Sequence, residues 1–228
     1  MQSNNSSNSK LIRIGIFYDG NYFAKVSEYY KQYDARKARL SIRGIHDFIR
    51  EKIGEYENDG DFKYCRIVES HYFRGRFDAY NATPEQLKGD RIFDIVLMKE
   101  GIITHFLPIK KNQEDKAEEK GIDVWLALEA FELAVYKRFD VLALITGDGD
   151  YVPLIRKLNS LGTRVMLIAW RLTYPQTANK PPITTSYDLE QEATYSIIMN
   201  EEIKKNSDEK VINSLFMQPL ETNPDNQR

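Results

Sequence analysis

The chain has 228 residues, of which 42% are hydrophobic and 29% charged, and its 32 Lys and Arg residues nearly balance 34 Asp and Glu residues. This composition is typical of a soluble globular protein with one domain and a substantial core. The formal net charge of −2 excludes recruitment of nucleic acid by the field of the whole molecule. A nucleic-acid partner would therefore need a local basic patch.

The single cysteine, Cys65, excludes an intramolecular disulfide and a Cys-type zinc site. The three histidines, His46, His71 and His105, are far apart and show no ligand spacing, so they predict no metal site. The first ten residues, MQSNNSSNSK, contain no apolar run, and no stretch reaches about 18 apolar residues. We therefore expect no signal peptide, no membrane partner and a cytoplasmic protein.

Strands and helices are predicted to alternate along the chain. Apolar runs predict strands at 11–18, 62–73, 102–107, 140–146 and 163–170. Helices are predicted at 20–32, 41–56, 84–100, 122–138 and 151–162, with a last helix within 184–204. Thr83 and Gln86 predict a capping box at the start of the third helix. The strands are continuously apolar, which favours a parallel sheet covered by helices on both faces.

The expected domain covers residues 11–204, between a disordered N-terminal tail at 1–10 and a flexible C-terminal tail at 205–228. The N-terminal tail is rich in Ser and Asn, and the sequence ends in MQPLETNPDNQR. Neither segment shows the periodic apolar pattern of a packed element.

Two predicted strands end in acids. In IGIFYDGNYF the first strand leads into Asp19, with Asn21 two residues later, and in ITGDGDY the fourth leads into Asp148 and Asp150. Ligands of open parallel sheets bind beyond the carboxyl ends of the strands, so these side chains should meet at one edge.

The predicted helix at 122–138 adds a third acid. Asp123, Ala127, Ala130 and Ala134 share one helix face, and the small residues let this face lie close to the sheet. Asp123 should therefore point inward at the first turn. Glu129 lies six residues further and points about 240° away, which places it outside the cluster.

Converging carboxylates without Arg or Lys among them raise one another's pKa, and a hard divalent cation relieves the repulsion. An oxygen-only ligand set suits Mg²⁺ or Mn²⁺, which assist phosphodiester hydrolysis. Each motif also has a simpler interpretation, since a strand-ending Asp often caps a helix and GDGD is often a surface turn. The absence of G-x-G-x-x-G and Walker A motifs argues against a dinucleotide or NTP site.

Four segments, IFYDGNYF, EKGIDVWLALEAFELA, VLALITGDGDYVPLIRKLNSLGTRVMLIA and TSYDLEQEATYSIIM, occur in this order between about residues 11 and 200. In this combination the chain resembles the NYN domain family (LabA-like proteins) of the PIN-like nuclease superfamily. The resemblance implies a three-layer α/β/α fold, PIN-like and Rossmannoid, with a central mainly parallel sheet. It also implies metal-dependent ribonuclease chemistry.

The resemblance assigns roles to individual residues of the chain. Asp19, Asp123 and Asp148 match the acids expected to hold Mg²⁺ or Mn²⁺, and Asp150 matches a fourth, accessory acid. Asn21 matches the polar residue after the first acid, and Thr146 matches the hydroxyl residue before the acidic turn. Lys120 matches a basic position of the family. Many PIN nucleases carry a further acid on an early helix, with which neither Glu51 nor Glu55 aligns clearly.

Candidates for substrate contact are Lys120, Thr146, Tyr22, Arg74 and Arg76, the basic groups for phosphates and the tyrosine for stacking on a base. Tyr151 is a second stacking candidate. Ordinary packing of the tyrosines and a solvated charged loop around residues 110–120 are the alternatives.

The leading hypothesis is a Mg²⁺- or Mn²⁺-dependent endoribonuclease acting on single-stranded or structured RNA, with Asp19, Asn21, Asp123, Asp148 and Asp150 as its catalytic set. One alternative is a non-catalytic RNA-binding regulatory module of the same fold. Another is a nucleotide phosphohydrolase that uses the same acids. Homo-oligomer formation stays open.

Overall fold

The computed structural model describes residues 10–111, 117–206 and 210–217. Its central sheet has six parallel strands in the order β3-β2-β1-β6-β7-β8, beside a short antiparallel pair, β4 and β5. The strands are β1 (Ile12–Asp19), β2 (Cys65–Arg76), β3 (Ile103–Pro108), β4 (Lys110–Lys111), β5 (Ala117–Glu118), β6 (Val141–Ile145), β7 (Arg164–Ala169) and β8 (Tyr195–Ile198).

Helices cover both faces of this sheet. They are α1 (Gly20–Gln32), α2 (Ile42–Glu57), α3 (Pro84–Lys99), α4 (Ile122–Lys137), α5 (Val152–Ser160), α6 (Tyr187–Glu192), α7 (Met199–Lys205) and α8 (Lys210–Ser214). Each predicted helix from 20–32 to 151–162 has a counterpart within a few residues. The capping box is also present, with Gln86 N donating to Thr83 Oγ1 and Thr83 N to Gln86 Oε1.

Two hydrophobic cores lie on opposite faces of the sheet, because side chains alternate along each strand. Ile16 and Tyr18 of β1 point into a core formed with α1, α2, α3, α7 and α8. Phe17 points into the other core, which it shares with α4, α5 and α6. The predicted three-layer α/β/α architecture with a parallel sheet is therefore confirmed.

The strand order places a crevice between β1 and β6. The chain builds the sheet from β1 to β2 to β3 on one side and then returns to add β6 on the other side of β1. The register pairs Tyr18 with Ile145, so Asp19 at the end of β1 and Thr146 directly after β6 lie at neighbouring strand ends. Such a reversal of strand order is where open α/β sheets bind their ligands.

Two sequence predictions need correction at the C-terminal end. The last helix expected within part of 184–204 is present as α6, but the segment also contains strand β8 and the start of a second helix, α7. The predicted flexible tail is also wrong for residues 210–217, because Ile212 and Leu215 are fully buried and Phe216 pairs with Leu40 beside α2. The remaining tail predictions, at 1–9, 207–209 and 218–228, lie outside the described residues. No helix in the described part of the chain is both long and apolar enough to cross a bilayer.

Candidate active site at the carboxyl end of the sheet

Asp19 ends β1 and at the same time caps α1. Its Oδ1 accepts a hydrogen bond from the backbone N–H of Tyr22 at 3.0 Å, and its Oδ2 accepts one from Thr146 Oγ1 at 3.0 Å. Burial is the largest influence on this carboxyl group and raises its pKa to about 6, with smaller increases from the charges of Asp123 and Glu119. Asp19 is therefore a helix cap that also carries a costly negative charge at the crevice.

Thr146 connects the two strand ends. It is fully buried, and while its hydroxyl donates to Asp19 it accepts a hydrogen bond from the backbone N–H of Asp148 at 3.2 Å. Asp148 Oδ1 in turn accepts from the backbone N–H of Asp150 at 3.0 Å, which caps the short turn at Gly149–Tyr151. The sequence GDGD is thus a capped turn that holds Asp148 beside Asp19.

Asp123 enters from the first turn of α4. Its Oδ1 accepts a hydrogen bond from the hydroxyl of Tyr151 at 3.0 Å. Tyr151 is only 2% exposed, and burial followed by the charges of Asp19 and Asp123 raises the pKa of its phenol. Of the two interpretations of Tyr151, ordinary packing is the one that the structure shows, because the ring is packed inside and its hydroxyl orients Asp123.

Glu119 is a fourth acid at the site, which the sequence interpretation did not select. Its Oε1 accepts from the backbone N–H of Gly75 at 2.7 Å, and its Oε2 accepts from the side-chain amide of Asn21. Gly121 adopts a left-handed conformation with φ of 84° between Glu119 and Asp123. Burial, and next the charge of Asp123, raise the pKa of Glu119. An acid four residues before Asp123 and next to a turning glycine was the available sequence signal.

The acids of this site have neutral partners. Asp19, Glu119, Asp123 and Asp148 accept hydrogen bonds from backbone N–H groups, hydroxyls and one amide. No ion pair formed among the described residues includes any of these four acids. This oxygen-only donor set, with raised pKa values at Asp19 and Glu119, fits a hard divalent cation. Within residues 10–111, 117–206 and 210–217, however, no three of these acids bring their oxygens within 4.8 Å of one another.

The four acids line an open cavity of about 880 Å³, here called the acid cavity. Lys25 and Lys180 line its rim, although the sequence interpretation selected neither. One wall is aromatic: the ring of Tyr174 lies 5.3 Å from those of Tyr29 and Tyr33, and Lys180 Nζ lies 5.6 Å from the Tyr174 ring centre. Tyr22 also lines the cavity, but its hydroxyl is held by the backbone of Trp170.

Several predicted site residues lie elsewhere. Asp150 and Lys120 are exposed and do not line the acid cavity. For Asp150 the cause is the turn at 149–151, which directs its N–H rather than its carboxylate toward Asp148.

Arg74 and Arg76 line a separate cavity of about 950 Å³, here called the arginine pocket. They follow Tyr72 on alternate positions of β2 and so share its face, which α3 covers. There Arg74 Nη1 lies 3.8 Å from Asp90, and Arg76 Nη2 lies 2.5 Å from Asp94. The two arginines thus line a neighbouring cavity rather than the acid cavity, although the two cavities adjoin and share Asn21 and Lys25. Their contact with a substrate stays a prediction.

Comparison with known proteins gives one family match and three partial likenesses. The NYN domain profile matches residues 13–200. A 60-residue segment is 35% identical to the uncharacterized protein MJ0482 of Methanocaldococcus jannaschii. This segment covers 26% of this chain and 25% of that protein. The chain thus spans about a quarter of the length of the curated relative that it matches.

Two solved structures align with the chain at low similarity. A protein of unknown function from Vibrio parahaemolyticus, VPA0982, aligns over 87% of this chain and 96% of its own with 18% identity and a TM-score of 0.49. A chitinase from Chromobacterium violaceum aligns over 83% and 56% with 13% identity and a TM-score of 0.26. Neither likeness carries an argument about function.

The profile match extends from the second residue of β1 to the beginning of α7 and so contains all six strands of the central sheet. It also contains the strand ends and the α4 turn from which the four acids project. The resemblance inferred from the sequence is confirmed: the chain belongs to the NYN domain family of the PIN-like superfamily, whose character is nuclease-like.

Proposed function

We propose that the chain is a divalent-metal-dependent endoribonuclease whose active site is the acid cavity. The observation that carries this proposal is the convergence of Asp19, Glu119, Asp123 and Asp148 on one cavity, where their hydrogen-bond partners among the described residues are neutral. Four carboxylates in this arrangement repel one another unless a cation or protons compensate them.

Mg²⁺ or Mn²⁺, held by Asp19, Asp123 and Asp148 with Glu119 as a further acid, would activate water and stabilise the leaving oxygen. The surrounding groups set the positions of these ligands. Thr146 orients Asp19, and Tyr151 orients Asp123, each through a hydrogen bond from its hydroxyl. Glu119 is held by hydrogen bonds from the Asn21 side chain and the Gly75 N–H. Each of these donors is neutral, so the negative charge needed to hold a cation is retained.

The rim of the cavity supports a nucleic-acid substrate. Lys25 and Lys180 lie where the phosphates of an entering strand would otherwise meet only acids. The half-buried rings of Tyr29, Tyr33 and Tyr174 offer faces on which unpaired bases stack. Stacking requires splayed-out bases, so single-stranded segments or loops of RNA are the substrate class that the site favours.

The test is cleavage of a labelled single-stranded RNA by the purified chain in Mn²⁺ and in chelator. Asp19→Asn and Asp123→Asn are compared with Asp47→Asn, which changes an acid on α2 that is paired with Arg50 away from the cavity. We expect cleavage in Mn²⁺ by the wild-type and Asp47→Asn chains and its loss, by more than about 100-fold, in the two cavity variants. Cleavage that persists in chelator, or in both cavity variants, would contradict the proposal.

A parallel assay with nucleoside triphosphates and monophosphates separates the competing functions. Turnover of nucleotides without RNA cleavage would replace the proposal with a phosphohydrolase. RNA binding without turnover of either substrate would leave a non-catalytic module of the same fold.

A further inference from the structure

Two histidines that are 34 positions apart in sequence meet between the sheet and α4. His71 of β2 and His105 of the edge strand β3 are brought together by the strand register, which pairs Phe73 with His105. His71 Nδ1 lies 2.9 Å from His105 Nε2. The sequence spacing of the histidines gave no sign of this contact, because only the register of β2 and β3 reveals it.

Glu129 of α4 completes a group of three. One ligand atom from each of His71, His105 and Glu129 lies within 4.8 Å of the other two, and within the described ranges no other set of three or more potential ligands is this compact. Glu129 is outside the acid cavity, as its position on the helix predicted. The group is thus separate from the proposed active site.

Aromatic packing fixes the two imidazole rings. His105 stacks on Phe73 with ring centres 4.1 Å apart and meets the edge of Trp125 at 4.9 Å, while His71 stacks on Phe17 at 5.0 Å. Rings held in this way keep their nitrogen atoms close together, which is the preorganisation that a ligand site needs. His71 is buried, whereas His105 and Glu129 are partly exposed and leave access from solvent.

The far side of His71 faces a carboxylate. Glu69 Oε2 lies 3.4 Å from His71 Nε2, which has no hydrogen-bond partner among the described residues, and Glu69 Oε1 is held by Lys137 Nζ at 2.7 Å. A carboxylate on this side favours the tautomer with a proton on Nε2, so that the lone pair of Nδ1 faces His105. Metal-binding histidines commonly have such a carboxylate behind them.

We propose that His71, His105 and Glu129 form a second metal site, selective for Zn²⁺ and similar borderline divalent ions and distinct from the acid cavity. Two imidazoles and one carboxylate suit Zn²⁺ better than Mg²⁺, and three protein ligands leave one position for solvent. Zn–N bonds of about 2.0–2.1 Å in tetrahedral geometry place two nitrogens roughly 3.3 Å apart. The rings therefore need to separate by only a few tenths of an ångström.

The three ligands of this site belong to three separate elements of the fold. The ion would join β2, the edge strand β3 and α4. We therefore expect Zn²⁺ to raise the melting temperature of the chain.

The experiment is a Zn²⁺ titration of the full chain, stripped of metal and kept in excess Mg²⁺, against a chromophoric competitor, with Co²⁺ as a spectroscopic substitute. His105→Gln and Glu129→Gln remove one ligand each. Glu132→Gln is the matched control, since it changes an exposed acid on the same helix. Asp19→Asn tests independence from the acid cavity.

We expect one equivalent of Zn²⁺ to bind the wild-type, Glu132→Gln and Asp19→Asn chains and to be lost in both ligand variants. Glu69→Gln should weaken binding about 10- to 100-fold.

Circular dichroism of the metal-free variants checks their folding, and the partly exposed Glu129 provides a mild variant if His105→Gln misfolds. Equal affinity in the wild-type chain and both ligand variants would overturn the site, as would no Zn²⁺ binding by the wild-type chain. The latter result would leave His71 and His105 as a hydrogen-bonded pair. Loss of binding in Asp19→Asn would instead place the ion in the acid cavity.

Discussion

In the arginine pocket, Arg76 lies 2.5 Å from Asp94 and its guanidinium carbon lies 3.5 Å from the centre of the Phe106 ring. In the adjoining acid cavity, Asp19 receives hydrogen bonds from a backbone N–H and from Thr146, and from no other group in the part of the chain that the structure describes. The first region compensates its charge within the fold, and the second leaves negative charge for something else to compensate. This contrast matches the proposed roles, in which the arginine pocket contributes to stability and the acid cavity would hold a cation.

The largest effect that would sharpen this contrast is the loss of RNA cleavage rate that we expect from the substitution Glu119→Gln. Glutamine keeps the size of the side chain and an oxygen that accepts from Gly75 N–H, but it removes the charge. We expect RNA cleavage in Mn²⁺ to fall about 10- to 100-fold, because the cation loses one of its surrounding acids. Single-turnover rates across a Mn²⁺ series measure the change. Unchanged rates would mean that Glu119 only ties the segment before α4 to β2.

The second prediction concerns stability in chelator. The folded-state pKa of Asp19, about 6, lies above its ordinary value of 3.8. Its stabilising contribution is therefore complete below pH 3.8 and is lost as the pH rises through about 6. At pH 7 we expect Asp19→Asn to raise the free energy of unfolding by about 2 kcal/mol, after allowance for partial exposure. Asparagine still caps α1.

Urea unfolding of both chains at several pH values tests this expectation. The difference between Asp19→Asn and wild type should close as the pH falls toward 4. A variant that is less stable at pH 7 would show that the hydrogen bonds of Asp19 outweigh its desolvation, and the contrast between the two cavities would fail.

The third prediction is the matched change in the arginine pocket. Asp94→Asn leaves the guanidinium of Arg76, whose side chain is 17% exposed, without its bidentate carboxylate. We expect the free energy of unfolding at pH 7 to fall by about 1 kcal/mol, opposite in sign to Asp19→Asn, and Mn²⁺ binding to be retained. Denaturant melts and Mn²⁺ titrations on the same preparation measure both quantities. Loss of Mn²⁺ binding would mean that the two cavities act as one site.

The sequence predicted the parts of the site that depend on local order. Asp19 and Asp148 could be placed together because each follows a buried strand, and parallel strands end at the same edge. Glu119 could not, because its place depends on a left-handed turn at Gly121 and on a backbone contact with Gly75, 44 positions away. The pairing of Arg76 with Asp94 likewise required the position of α3 over β2.

The smallest predicted effect separates two lysines. The sequence favoured Lys120 as the phosphate contact, but Lys180 lines the acid cavity beside the Tyr33 and Tyr174 rings, whereas Lys120 lies outside it. Lys180→Gln should therefore weaken binding of single-stranded RNA and reduce the slope of log affinity against log salt by about 1, through the loss of one phosphate contact. Lys120→Gln should change this slope less. Binding isotherms for the Asp19→Asn background, in which the RNA stays intact, measure both variants over a range of salt concentrations. A steeper loss with Lys120→Gln would show that the strand leaves the cavity past the start of α4 rather than across the tyrosine wall.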